Sequence, residues 1–257
     1  MERPSRRNLE LNEVRWWSNW VRLIWFGPSG YLLTSEDFGE SFFNRAGALT
    51  CAGVGGTAAW AEKKLADVRM DSTVLVYASC VRATQVLEDS GYRPVDSMTV
   101  LLSNRPMETG SAVQPRIITQ PPADRWTRAY LEAFYGDGKL RASVTPIVIG
   151  LLNVRAVTLL EARIGGETAG VMAIFRTKGL AGVYCLGTVP RYRRRGVATG
   201  LLQRAKEIAE AEGRKLILQS LASEGAERFY LERGFIPLYS KHILLKKNSN
   251  ALRKGRI

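Results

Sequence analysis

Long apolar runs are missing from this chain. The longest, such as Pro146 to Leu152 and Ile243 to Leu245, fall far short of the ~20 residues a helix needs to cross a bilayer. A soluble protein is expected, without a membrane partner. No secretory signal is visible either, because Met1-Glu2-Arg3-Pro4 leads into charge and the tryptophans Trp16, Trp17 and Trp20 are interrupted by Ser18 and Asn19. Cysteine is scarce. Cys51, Cys80 and Cys185 form an odd set with no metal-ligand spacing, so no metal site is expected. Buried free thiols in a reducing cytoplasm are the expectation for each, with a structural disulfide as the alternative. Acidic residues are also short, 24 against 37 Lys and Arg, which leaves a formal charge of +13. That excess draws anions, nucleic acid among them through counterion release, but it serves a phosphorylated ligand equally well. Lys246-Lys247 and Arg253-Lys254-Gly255-Arg256 read as a solvated tail.

What the chain does have is enough apolar material for a core. Its 257 residues, 46% of them hydrophobic, suit one large or two small globular domains. Between the apolar run Gly182 to Val189 and the helix-like stretch Thr199 to Ala211 lies Arg193-Arg194-Arg195-Gly196-Val197-Ala198. A strand ending at Pro190, then a basic turn with small residues at Gly196 and Ala198, exposes successive backbone N–H groups at the positive end of a helix. Such a turn cradles a pyrophosphate. Small residues let phosphate oxygens reach the amides, and arginine charge does not titrate away. Three arginines before a helix, taken alone, also describe a solvated surface or a nucleic-acid patch.

Arg193-x-x-Gly196-x-Ala198 is similar to the Gln/Arg-x-x-Gly-x-Gly/Ala signature of the GNAT acetyltransferase superfamily, and Thr188-Val189-Pro190 precedes it as in that family. Further on, Ser223-Glu224-Gly225-Ala226 leads to Phe229-Tyr230-Leu231-Glu232-Arg233-Gly234-Phe235, which resembles the second signature, a tyrosine four residues before Gly-Phe. The resemblance covers roughly residues 116 to 245. It implies an α/β fold whose mixed sheet has splayed central strands, with acetyl coenzyme A (acetyl-CoA) as cosubstrate and no metal. By the same resemblance Leu186, Gly187 and Thr188 run beside the pantetheine arm and offer an oxyanion N–H. Arg193, Arg194, Arg195, Gly196, Val197, Ala198 and Thr199 surround the pyrophosphate, and Tyr230 protonates the departing sulfur. Ser223 stands where many members place an asparagine that touches the cofactor. No glutamate lies on Lys215 to Leu221, where some members keep a general base; Glu161 or a water chain are the substitutes. An acetyl-cysteine route through Cys185 is disfavoured, since a buried strand cysteine is inert.

Sliding the chain by 143 positions places Gly53-Val54-Gly55 on Gly196-Val197-Ala198 and Gly91-Tyr92-Arg93-Pro94 on Gly234-Phe235-Ile236-Pro237. A second copy of one supersecondary unit is therefore expected upstream. In that copy Thr50, Cys51 and Ala52 replace the arginines and Leu87 replaces Tyr230, so it is expected to be truncated and catalytically empty. The domains expected are residues 1–111, a degenerate GNAT-like half, and residues 112–257, the catalytic half.

Helices are expected at Leu11 to Trp20, Ala58 to Val68, Ala83 to Ser90, Ala123 to Tyr135 (capped by Asp124), Ser143 to Leu152, Thr199 to Glu212 and Glu224 to Arg233. Strands are expected at Val21 to Phe26, Tyr31 to Thr34, Thr73 to Ala78, Ser97 to Leu102, Arg116 to Thr119, Val157 to Ile164, Thr168 to Phe175, Gly182 to Thr188, Lys215 to Leu221 and Ile236 to Leu245. The function expected is N-acetyl transfer to a primary amine, on a small molecule or a protein, by direct attack in a cytoplasmic monomer or homodimer. The alternative is a non-catalytic module that binds acyl-CoA or nucleic acid.

Overall fold

A computed structural model describes residues 3–104 and 116–248. The boundary expected near residue 112 and the tail Arg253–Arg256 lie outside the described residues. The chain is a mixed α/β protein, as expected, and it forms two compact units assembled from non-contiguous segments.

One unit comprises Glu13–Val100, Ser220–Arg228 and the chain from Pro237. The C-terminal part of helix α1 (Arg6–Trp17), from Glu13, and the strands β1 (Arg22–Phe26), β2 (Gly30–Thr34), β3 (Arg45–Ala48) and β4 (Ser72–Tyr77) belong to it. So do the helices α2 (Val54–Asp67) and α3 (Val81–Asp89), most of β5 (Arg93–Ser103) and most of β11 (Phe235–Lys246), the last strand of the chain. Its sheet runs β1-β2-β3-β4-β11, antiparallel except for the parallel pair β3 and β4. Gly27, at φ 57°, makes the turn between β1 and β2. Val54, Thr57, Ala58, Ala61 and Leu65 recur at helical spacing and form the buried face of α2, which packs with Val74, Val76 and Leu244.

Strand β3 was not expected from the sequence. Its four residues, Arg-Ala-Gly-Ala, carry no alternation of apolar and polar, yet all are buried. Arg45 is tolerated there because Glu13 accepts its Nη2 at 3.0 Å, while the other Glu13 oxygen accepts Lys241 Nζ at 2.5 Å. The Arg45 guanidinium also lies 4.2 Å from the Phe42 ring centroid. Trp16, Trp17 and Trp20 are buried against one another and Phe43, whereas Trp25 is 45% exposed and does not join the core.

The free-thiol expectation fails for two cysteines. Cys51 and Cys80 form a disulfide across 29 residues with their Cα atoms 5.4 Å apart, and only Cys185 is free. The cysteine count therefore lends no support to a reducing compartment. No helix among the described residues is long and apolar enough to cross a membrane.

The other unit comprises Leu101–Gln219, Phe229–Ile236 and the chain up to Asn12. Its strands are β6 (Arg116–Thr119), β7 (Val157–Ile164), β8 (Glu167–Thr177), β9 (Leu180–Thr188) and most of β10 (Lys215–Leu221), in the order β10-β9-β8-β7-β6. All neighbours are antiparallel except β9 and β10, which are parallel. Gly165 and Gly166, both at positive φ, close the β7–β8 hairpin as their sequence implies. Helices α4 (Ala123–Phe134), α5 (Arg141–Leu152) and α6 (Val197–Ala211) pack on this sheet. Trp126 anchors α4, donating its indole N–H to Leu160 O at 3.1 Å. Asp124 is not the cap of α4: Pro122 holds that position, and Asp124 pairs with Arg128 and Arg141 instead. Val197, Leu201, Leu202, Ala205 and Ala209 form the buried stripe of α6.

The 143-residue offset recurs in element boundaries. It relates the starts of α6 and α2, Val197 and Val54, the starts of β10 and β4, Lys215 and Ser72, and the ends of β11 and β5, Lys246 and Ser103.

Candidate active site

Strand β9 pairs with β10 from Leu180 opposite Lys215 to Val183 opposite Leu218, and no further. Beyond that point β9 continues from Tyr184 to Thr188 against β8 alone. The splay expected between the two parallel strands is therefore present, and Leu186, Gly187 and Thr188 lie on the part of β9 that has left β10. On its β8 side this segment carries a bulge: Tyr184 opposes Ala173 and Gly187 opposes Val171, so Cys185 and Leu186 share Met172. Cys185 takes φ 51° there. A bulge bends its strand and takes backbone groups out of the regular ladder, which re-aims the residues that follow. Burial pushes the Cys185 thiol up, so it is not a thiolate nucleophile.

Two glycines let helices close on this strand. A Cβ on Gly187 would lie 2.6 Å from Phe134 Cε2 and 2.9 Å from Ala133 Cβ, so the last turn of α4 rests on β9. A Cβ on Gly170 would lie 2.5 Å from Val197 Cγ1, so the first residue of α6 sits on β8. The N-terminus of α6 is thereby held against the sheet.

The loop between β9 and α6 turns through Pro190–Tyr192 and then carries Arg193, Arg194, Arg195 and Gly196. Arg194 and Gly196 both have left-handed backbones, φ 59° and 77°. Gly196 is the residue before α6 and brings no side chain to cap it, so the N–H groups of Val197, Ala198 and Thr199 have no partner within the helix. Arg193, Arg194 and Arg195 are exposed, and none has a carboxylate partner among the described residues. Arg191 pairs with Glu132 of α4, and the Arg195 guanidinium lies 5.5 Å from the Tyr192 ring centroid. Cations at the positive end of a helix repel it, by about 0.3–1 kcal/mol each, unless an anion intervenes.

Tyr230 belongs to a short helix, α7 (Glu227–Leu231), half the length expected. It is buried, with the Phe229 and Phe235 ring centroids 5.3 and 6.0 Å away. Gly234, at φ 78°, ends the turn by donating its N–H to Leu231 O. Arg233, which the sequence did not single out, donates Nε to Thr199 Oγ1 at 3.0 Å and Nη1 to Phe229 O at 2.8 Å. It thus joins the second motif to the first turn of α6, a link that no local signal announces.

Ser223 falls in the unit of Glu13–Val100. Its hydroxyl donates to Asp96 Oδ2 at 2.6 Å and its N–H to Asp96 Oδ1 at 3.2 Å. Burial and then the Asp96 charge push the neighbouring Glu224 carboxyl up. Glu161 is no general base: fully buried, it accepts Thr168 Oγ1 at 2.7 Å and Arg125 Nη2 at 2.9 Å, and both oxygens are committed. No group of three or more His, Cys, Asp or Glu among the described residues could hold a metal ion.

Residues 152–243 match the family model described as the acetyltransferase (GNAT) domain. That stretch of the chain resembles a GNAT acetyltransferase domain. That GNAT stretch takes in the β9–α6 loop and Tyr230 together. A GCN5-related N-acetyltransferase from Kribbella flavida is 16% identical, with a TM-score of 0.69 over 95% of this chain and 96% of that one. Another, from Sphaerobacter thermophilus, is 19% identical, with a TM-score of 0.62 over 88% and 82%. A tandem GNAT protein from the clavulanic acid biosynthesis pathway is 14% identical, with a TM-score of 0.56 over 77% and 70%. These likenesses are of fold. No curated protein matches the sequence.

Proposed function

We propose that the GNAT domain is an N-acetyltransferase that moves the acetyl group of acetyl-CoA to a primary amine, on a small molecule or a protein, by direct attack. The observation that carries this reading is the uncapped N-terminus of α6 behind Gly196, flanked by three arginines that have no carboxylate partner among the described residues. Acetyl-CoA fits that donor set, because a diphosphate satisfies free N–H groups and unpaired guanidinium charge at once.

When bound, acetyl-CoA supplies an acyl group already activated as a thioester. In this reading Val197, Ala198 and Thr199 donate their N–H groups to the diphosphate, and Arg193, Arg194 and Arg195 neutralise its charge. Leu186, Gly187 and Thr188, on the part of β9 free of β10, lie along the pantetheine arm. A backbone N–H of that segment donates to the acetyl oxygen as negative charge grows on it. Tyr230 gives its proton to the leaving sulfur as the C–S bond breaks, and a water chain takes the proton that the attacking amine sheds. Ser223, whose hydroxyl is donated to Asp96, is given no part.

The first repeat is read as non-catalytic. Thr50, Cys51 and Ala52 stand where the arginines stand in the second, and β3 ends one residue after its last pairing with β4. At the repeat offset, Cys51 and Cys80 correspond to Arg194 and Ser223. The disulfide thus ties together two positions that the family resemblance assigns to the cofactor in the other copy.

The test is release of free thiol from acetyl-CoA across a panel of primary amines, with Tyr230→Phe beside the native chain. The phenylalanine variant is expected to bind acetyl-CoA normally and turn over about a hundredfold more slowly, the scale of a lost general acid. Equal turnover removes Tyr230 from the mechanism, and no amine-dependent release from the native chain defeats the reading.

A further inference from the structure

Arg233 is placed where electrostatics alone would not put a cation. Its Nε is bonded to the side chain of Thr199, the third residue of α6, at the positive end of that helix. No carboxylate pairs with it, and its Nη2 has no acceptor among the described residues. Burial pushes its pKa down, more than the adjacent Glu232 charge pulls it up. On its other side the guanidinium is fixed to the residue next to Tyr230, for Nη1 donates to Phe229 O at 2.8 Å and Cζ lies 3.6 Å from the Phe229 ring centroid. One planar group therefore spans the phosphate-facing turn of α6 and the peptide that carries Tyr230.

We infer that Arg233 is a positioning residue: an anion at the N-terminus of α6 tightens its bridge from Thr199 to Phe229, and the bridge orders the turn that presents Tyr230. The inference rests on the proposed reading only in taking that anion to be the cofactor's diphosphate. Without an anion, the helix end and the loop arginines repel the guanidinium and loosen its hold on Phe229. With one, the local potential changes sign and the charge-assisted bonds strengthen. The fork matters as well as the charge, because a lysine ammonium cannot hold both acceptors in one plane.

The experiment is hydrogen exchange of the full chain with and without 3′-phospho-ADP, which carries the diphosphate but lacks the pantetheine arm and so cannot touch Tyr230 through it. In the native chain, saturation is expected to slow amide exchange across Phe229–Gly234 by about tenfold. Arg233→Lys is expected to bind the probe within about threefold of native, since the charge is kept, and to show no slowing. Arg233→Gln, which removes the charge from the bridge, is the second variant and is expected to show no slowing either. Probe binding without slowing in the native chain overturns this inference alone, as does equal slowing in both variants. If neither the probe nor acetyl-CoA binds the native chain, the proposed function falls and this inference with it.

Discussion

At Glu13 one carboxylate pairs with two buried cations, Arg45 and Lys241. Its burial opposes ionisation most strongly, but the Lys241 and Arg45 charges and their hydrogen bonds outweigh that, so its pKa is held below the usual 4.5. Glu13→Gln would leave two buried cations facing a neutral amide, a loss of about 3–5 kcal/mol in the denaturant unfolding of the chain. The sign with pH follows from the lowered pKa. The contribution is fully present above the ordinary carboxylate range and is lost as pH falls through the folded value, so native and variant chains should converge in stability under acid. A variant as stable as the native chain at neutral pH would show that the triad contributes nothing. None of this was legible in the sequence, because the partners lie 32 and 228 positions from Glu13. The places of Arg193 to Thr199 and of Tyr230 in the fold, as distinct from their roles, were legible, since each motif is local. Arg233 sits inside a legible motif, but its partner Thr199 is 34 residues away.

Elements with strong periodicity were read correctly. The strands β6, β7 and β10 begin and end where expected, and α6 differs by only two residues at its start. The misses share a cause. Strand β3 is short and built of small residues whose place depends on neighbours: Gly47 faces Tyr31, and a Cβ there would lie 2.4 Å from Tyr31 Oη. Helix α7 is shorter than its pattern because Gly225 takes φ 63° and delays the start until Glu227. The Cys51–Cys80 link joins the turn before α2 to the residue before α3, and cysteine spacing alone does not reveal it. The disulfide limits the unfolded chain, and its loss as Cys51→Ser with Cys80→Ser should lower unfolding free energy by about 3 kcal/mol. An unchanged denaturation midpoint would mean that the link does not form in solution.

For the molecule as a whole, charge and repetition have different meanings. The excess of +13 is an attraction for anions, while the 143-residue offset sets the N-terminus of α6, after three arginines, against that of α2, where Cys51 is held in a disulfide. Both α2 and α6 follow a glycine, Gly53 and Gly196, but only α6 is preceded by three arginines and by a strand, β9, that runs five residues beyond its last pairing with β10. The central claim is that this one helix end takes the diphosphate of acetyl-CoA. Calorimetric titration of the native chain with acetyl-CoA, beside Gly196→Glu, tests it most directly, because the substitution adds bulk and negative charge at a left-handed residue. One saturable site per chain in the native protein, lost in the variant while the fold persists by circular dichroism, is the predicted result. Equal binding in both chains would contradict the assignment of the cradle, and no binding in the native chain would contradict the acetyltransferase reading itself.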